Sequence, residues 1–173
     1  MLTKGDDFPI HQKPSPLAEV GSSRNFYDRY FFNGYSHEDE IFFGAVLCVY
    51  PNLNIMDAAF TIAHKGIQHN VRASRILNLE RLDTVVGPIQ VKVIEPLQKL
   101  QVLVNDKDSG INVDITFDGF TEVLQEPQMY LYDGPRKTMD TCRMVQHGSW
   151  TGQIKLENLI IDINQEKFVG TRD

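Results

Sequence analysis

The segment Phe60-Thr61-Ile62-Ala63-His64-Lys65-Gly66-Ile67-Gln68-His69-Asn70-Val71-Arg72-Ala73 is centred on a Lys-Gly pair. Residue types alternate with period two on both sides of Lys65-Gly66, the pattern of two strands joined by a tight turn. With Lys65-Gly66 as the loop, His64 faces Ile67, Ile62 faces His69, and Phe60 faces Val71. One face then carries Ala58, Phe60, Ile62, His64, Ile67, His69, Val71 and Ala73, apolar except for two histidines. The other carries Gln68, Asn70, Arg72 and Ser74 with small partners. A slip of one residue would turn the apolar set toward water, so the pattern selects this register. Lysine at a positive-φ turn position is unfavourable, and a longer loop is the alternative.

The same period extends outward. Ile111, Val113, Ile115 and Phe117 alternate with Asn112, Asp114, Thr116 and Asp118, a strand dry on one face and wet on the other. Strands are predicted at 26–33, 41–49, 56–64, 67–74, 89–95, 98–104, 111–118, 128–132, 138–147 and 154–163. The expected turns are Asn33-Gly34, Lys65-Gly66, Ser109-Gly110 and Asp133-Gly134 before Pro135. No segment shows a long 3.6-residue period. Many short hairpin-linked strands imply a sandwich or an up-and-down barrel. Residues 1–24, with Pro9, Pro14 and Pro16, read as an extended lead-in, and 25–173 as one β-domain.

Composition agrees. Val, Ile, Phe, Tyr, Trp and Thr total 54 residues, whereas Ala numbers only 6. Branched and aromatic side chains suit a pleated, half-buried surface. The net charge of −6, with no basic run, argues against a nucleic-acid surface. Met1 to Pro9 has no apolar core segment, so no signal peptide is expected. The apolar run from Ile41 to Tyr50 is far short of the roughly 20 residues of a spanning helix. Cys48 and Cys142 fit neither a disulfide framework nor a zinc site, and free thiols suit a cytoplasmic location.

Asn25 to Tyr35 is the most unusual segment for chemistry. On a strand, Phe26, Asp28, Tyr30 and Phe32 share one face, while Tyr27, Arg29 and Phe31 share the other. Asp28 is either a proton donor in an aromatic pocket or, like Arg29, a structural partner of other buried polar groups. His64 and His69 share an apolar face, but a metal site needs a third ligand that no spacing supplies. The alternative is two histidines hydrogen-bonded near the hairpin end. Asp106 to Gly110 imitates the opening of a calcium loop, yet its twelfth position is Phe117, so it reads as a polar turn. Trp150, Met144 and Cys142 fall on one strand face and read as core.

Several stretches carry a family resemblance. Asp6-Asp7-Phe8-Pro9-Ile10-His11-Gln12, Arg24 to Tyr35, Tyr50-Pro51-Asn52-Leu53 and Met56-Asp57-Ala58-Ala59 make up its first part. Gly87-Pro88-Ile89, Glu95-Pro96-Leu97, Trp150-Thr151-Gly152 and Gly170-Thr171-Arg172-Asp173 continue it. Together they resemble the N-terminal half of a bacterial family of uncharacterised proteins, distantly related to the acyclic-carotenoid hydratases. The resemblance implies an all-β fold, an antiparallel lipocalin-like (calycin-like) barrel or strongly curved sheet with little helix. It also implies a second barrel, absent from this chain, whose site residues have nothing here to map onto.

Three functions are open on this basis. One is binding of an apolar, terpenoid- or steroid-like small molecule in a lipocalin-like pocket. The second is half of a cofactor-free hydratase or isomerase acting on an isoprenoid double bond. There Asp28 would be the acid, and the aromatic faces of Tyr30, Phe32 and Tyr35 would favour a carbocation. The third is a structural half-domain that dimerises or props a missing second barrel. The expected ligand-binding residues are Phe26, Tyr30, Phe32, Tyr35, Phe60, Ile62, His64 and His69. No metal, cofactor, nucleic acid or membrane span is expected. An acidic role for Asp28 sets a geometric condition: its carboxyl should face that cavity with no Arg within salt-bridge distance, since a close guanidinium would hold it ionised.

Overall fold

The computed structural model describes residues 2–11, 23–36 and 38–173, and in it the Lys65-Gly66 hairpin forms as its pattern requires. It joins β3 (Ile55–His64) to β4 (Ile67–Ile76), pairing His64 with Ile67, Ile62 with His69 and Phe60 with Val71. The loop has two residues. Lys65 takes φ 50° and Gly66 takes φ 78°, the left-handed pair that matches strand twist.

Around this hairpin the other strands are β1 (Asp28–Ser36), β2 (Ile41–Tyr50), β5 (Val85–Val86), β6 (Ile89–Glu95), β7 (Lys99–Asp106) and β8 (Ile111–Gly119). They are followed by β9 (Leu124–Gln125), β10 (Met129–Asp133), β11 (Arg136–Thr141), β12 (Met144–Leu156), β13 (Leu159–Ile163) and β14 (Val169–Arg172). One antiparallel sheet runs β4-β3-β2-β1-β14-β12-β8-β7-β6-β5, with β9 and β13 also paired to β12. Its curl brings β4 back against β5, giving a nearly closed barrel. Side chains seal the seam between these end strands. The Arg75 guanidinium on β4 donates to the carbonyls of Val85, Ile76, Leu77 and Asp83. No helix of the described residues is long and apolar enough to cross a membrane.

Alternation along each strand sends one set of side chains inward. Phe32, Phe43, Phe60, Phe117, Trp150 and Phe168 are all buried there. Trp150 meets Phe32, Phe43 and Phe117 edge-on, at centroid distances of 5.7, 5.2 and 5.3 Å. Its indole N–H donates to the Asn33 carbonyl at 3.0 Å. Such edge-to-face contacts add to the burial energy of the rings.

Some boundaries differ from the sequence expectation. Asn33-Gly34 is not a turn but the middle of β1, where Gly34 pairs with Phe43 and Gly170. The glycine is required by packing, because a Cβ there would stand 2.1 Å from Cζ of Phe43. The strand expected over 138–147 is broken between Thr141 and Met144, where β11 gives way to β12. The strand expected over 154–163 is a hairpin, turning at Glu157 with φ 49°. The short strands β5, β9 and β14 were not anticipated. Within the lead-in, Lys4–Asp7 form one 3-10 turn, and residues 12–22 lie outside the described residues.

Candidate functional site

The segment 2–11 lies across one end of the barrel and builds three linked features there. Asp7, at the end of the 3-10 turn, is fully buried and its Oδ1 accepts from Nη1 of Arg172 on β14. Its Oδ2 accepts from the Leu97 amide at 3.0 Å, and its carbonyl accepts from the Tyr30 hydroxyl at 2.8 Å. Burial pushes the Asp7 carboxyl above its ordinary value, opposed by the Arg172 charge and hydrogen bond. Burial, then the charges of Asp7 and Asp28, pushes the Tyr30 phenol far above its usual value, so it remains a donor.

His11 forms the second feature. Its Nδ1 lies 2.6 Å from Oδ2 of Asp28, and its Nε2 lies 3.0 Å from Oδ1 of Asp6. A ring with a carboxylate at each nitrogen is held as the imidazolium. Burial works against that charge, but Asp28 and then Asp6 outweigh it and push the pKa up to about 9. Arg81 fastens the backbone beside it, donating to the carbonyls of Ile10 and His11 at 3.1 and 2.7 Å.

The third feature is a cleft of about 670 Å³ on the barrel rim. Leu2, Leu97, Phe120 and Val123 supply its apolar walls, and Gln98, Thr121, Glu122, Gln125 and Gln146 its polar groups. Gln146 is buried, and its amide N–H groups donate to the carbonyls of Leu97 and Thr121 at 3.0 and 2.8 Å. Its oxygen accepts from Nε of Arg172 at 2.8 Å, which ties the cleft to the Asp7 pair behind it. Gln98 likewise donates to Asp118 and the Gly119 carbonyl. Leu97 sits at φ 65°, an uncommon conformation for a side chain of this kind. Its amide bond to Asp7 and its carbonyl bond from Gln146 hold it there. Strained backbone maintained by its surroundings is often found at functional sites.

The residues expected to form one pocket are divided by the structure. Tyr30, Phe32, Phe60 and Ile62 point inward and are buried in the aromatic core. Tyr35 belongs to the opposite face of β1 and is half exposed. Phe26 precedes β1 and is partly buried. His64 and His69 lie beside the turn of the β3–β4 hairpin, where His69 pairs with Ile62. Among the described residues the ion-pair partner of the Asp28 carboxyl is His11 and not an Arg, and Asp28 does not line the rim cleft. Arg29 has its own bidentate partner in Asp173. None of the expected residues lines the rim cleft. Among the described residues, no group of three or more His, Cys, Asp or Glu side chains could hold a metal ion.

One signal for the cleft was readable in advance. Gln146 has the same strand parity as Trp150, which places an amide on the inward face. Leu2 and residues 119–123 lay in stretches with no strand pattern, and nothing in their order announced a cleft.

Residues 2–173 match the model of a family of unknown function, DUF8625. No curated protein matches the sequence. Among solved structures, an AttH-type protein from Nitrosomonas europaea is similar with a TM-score of 0.63 and 10% identity. The match covers 92% of this chain and 55% of that one. Kievitone hydratase from Nectria haematococca is similar with a TM-score of 0.61 and 12% identity, covering 96% of this chain and 56% of that one. The chain therefore spans little more than half the length of these neighbours, and the likeness is one of fold.

Proposed function

We propose that this chain, which belongs to DUF8625, a family of unknown function, binds a neutral, hydroxylated apolar small molecule in the rim cleft. The lining chemistry is the observation that carries this reading. Among the described residues, three glutamines and a threonine line the cleft between apolar walls, and Glu122 is the one ionisable side chain of the lining. The lining holds no cation among the described residues, which disfavours an anionic ligand. The amide hydrogens of Gln98 are directed to protein acceptors, so this side chain meets a ligand through oxygen and favours hydroxyl donors. A volume of about 670 Å³ suits a terpenoid- or steroid-sized molecule. The fold shared with a neighbour named kievitone hydratase is consistent with a small organic ligand.

Among the described residues the cleft lining has one carboxylate and no imidazole, and Asp28 lies outside it, paired with His11. The test is titration with the fluorescent sterol dehydroergosterol, followed by competition with farnesol. Phe120→Asp should weaken binding about tenfold or more, equivalent to about 1.4 kcal/mol. Ile67→Asp, on the exposed end of the β3–β4 hairpin, should leave it unchanged. Binding indifferent to Phe120→Asp, or no binding of either molecule, would overturn the proposal.

A further inference from the structure

Two buried side-chain donors lack a partner among the described residues, Nε of Arg81 and Nη2 of Arg172. Arg81 is only partly buried as a residue, whereas Arg172 is 2% exposed. A charged donor enclosed without an acceptor is costly, so its persistence calls for a reason.

Arg172 closes a ring of hydrogen bonds behind the rim cleft. Its Nη1 donates to Oδ1 of Asp7, and Oδ2 of Asp7 accepts from the Leu97 amide. The Leu97 carbonyl accepts from the Gln146 amide nitrogen, and the Gln146 oxygen accepts from Nε of Arg172. Leu97 and Gln146 line the cleft, whereas Asp7 and Arg172 do not. The planarity of the guanidinium gives the direction of the unpartnered donor. Nε–H and one N–H of Nη2 point the same way, as the two tines of the fork that receives a carboxylate. Nε–H points at the Gln146 oxygen, so that tine of Nη2 points alongside it, to the cleft side of the ring. Gln146 is the partition between the two.

We infer that Arg172 is a specificity-determining residue of the rim cleft, its Nη2 receiving a carbonyl oxygen of the ligand when the Gln146 amide swings aside. The inference rests on the cleft being the ligand site, and it gives the ligand a second polar group. Asp7 already balances the guanidinium, so a ligand carboxylate would set two anions side by side. A ligand hydroxyl would have to place its own hydrogen, yet the oxygens of Asp7, Leu97 and Gln146 each already hold a donor. A carbonyl has no hydrogen to place. With the Gln98 oxygen favouring hydroxyl donors, the ligand class is a hydroxylated ketone of apolar skeleton.

The test compares testosterone, which carries one ketone and one hydroxyl, with an androstanol that keeps the hydroxyl and lacks the ketone. Both are titrated against bound dehydroergosterol. Testosterone should bind the native chain about tenfold tighter or better, the worth of a hydrogen bond to a charged donor. Arg172→Lys keeps a cation for Asp7 but has no fork, and should bring the two affinities within about twofold of each other. A second readout needs no variant. In the native chain labelled at its side-chain nitrogens, testosterone should move the signals of the Arg172 guanidinium and the Gln146 amide, and the androstanol should not. Equal affinities in the native chain, or a preference that survives Arg172→Lys, would overturn the inference. So would Arg172 signals unmoved by testosterone, which would leave a buried water as the only partner of Nη2. In each of those cases steroid binding itself upholds the cleft as a ligand site, whereas failure of all three steroids to bind overturns both readings.

Discussion

Asp7 and Arg172, 165 residues apart in sequence, meet in a fully buried ion pair at the end of the barrel. The contact joins the N-terminal segment to the last strand and stands directly behind the Gln146 floor of the cleft. Both cleft wall and barrel end therefore depend on one pair of charges.

Breaking that pair should be costly. Arg172→Leu leaves the Asp7 carboxylate buried without its cation, and the expected loss is about 3–5 kcal/mol. Replacing both partners, as Asp7→Leu with Arg172→Met, removes the uncompensated charge and should recover at least half of it. Urea unfolding of the two single variants and the double variant measures the coupling.

His11 makes stability depend on pH in a defined direction. Its folded pKa of about 9 lies above the ordinary value of 6.5. The His11 contribution is thus fully present below about pH 6.5, falls as pH rises, and is lost by the time pH passes 9. Its expected size is on the order of 2–3 kcal/mol. Thermal melts from pH 6 to 10 should show this decline in the native sequence and a flatter profile in His11→Gln. Asp6 acts at the other end. Its pKa is lowered, because the bonds from His11 and Thr3 outweigh the opposing effect of burial, so its contribution is lost as pH falls through the acid range.

Gly34 should tolerate no side chain while Phe43 keeps its ring. Gly34→Ala drives a methyl into that ring and should cost about 1–3 kcal/mol. Adding Phe43→Leu to Gly34→Ala should cost less than the two separate changes summed. Equilibrium unfolding of all three variants would show whether the glycine is a packing device.

What the sequence disclosed follows from the range of the interactions. The register of β3 and β4 was legible because alternation and a two-residue turn act within twenty residues and agree with each other. Gly34 was misread as a turn because Asn-Gly is a strong local turn signal. The reason for that glycine is a ring on the neighbouring strand. Asp28 and Arg29 were recognisable as charges needing partners, but the partners, His11 and Asp173, come from the two ends of the chain. The cleft was least legible. Its walls are connections between strands, where no periodicity reports facing, and only the parity of Gln146 hinted at it.

In the proposed complex the ligand sits in the rim cleft rather than among the inward-facing aromatics. Titrating the isotopically labelled chain with farnesol and following amide chemical shifts tests it most directly. The expected perturbations fall on Leu97, Gln98, residues 119–123 and Gln146, and weaken in Phe120→Asp. Shifts concentrated instead on 60–71 and 30–35, or no shifts up to the solubility of farnesol, would contradict it.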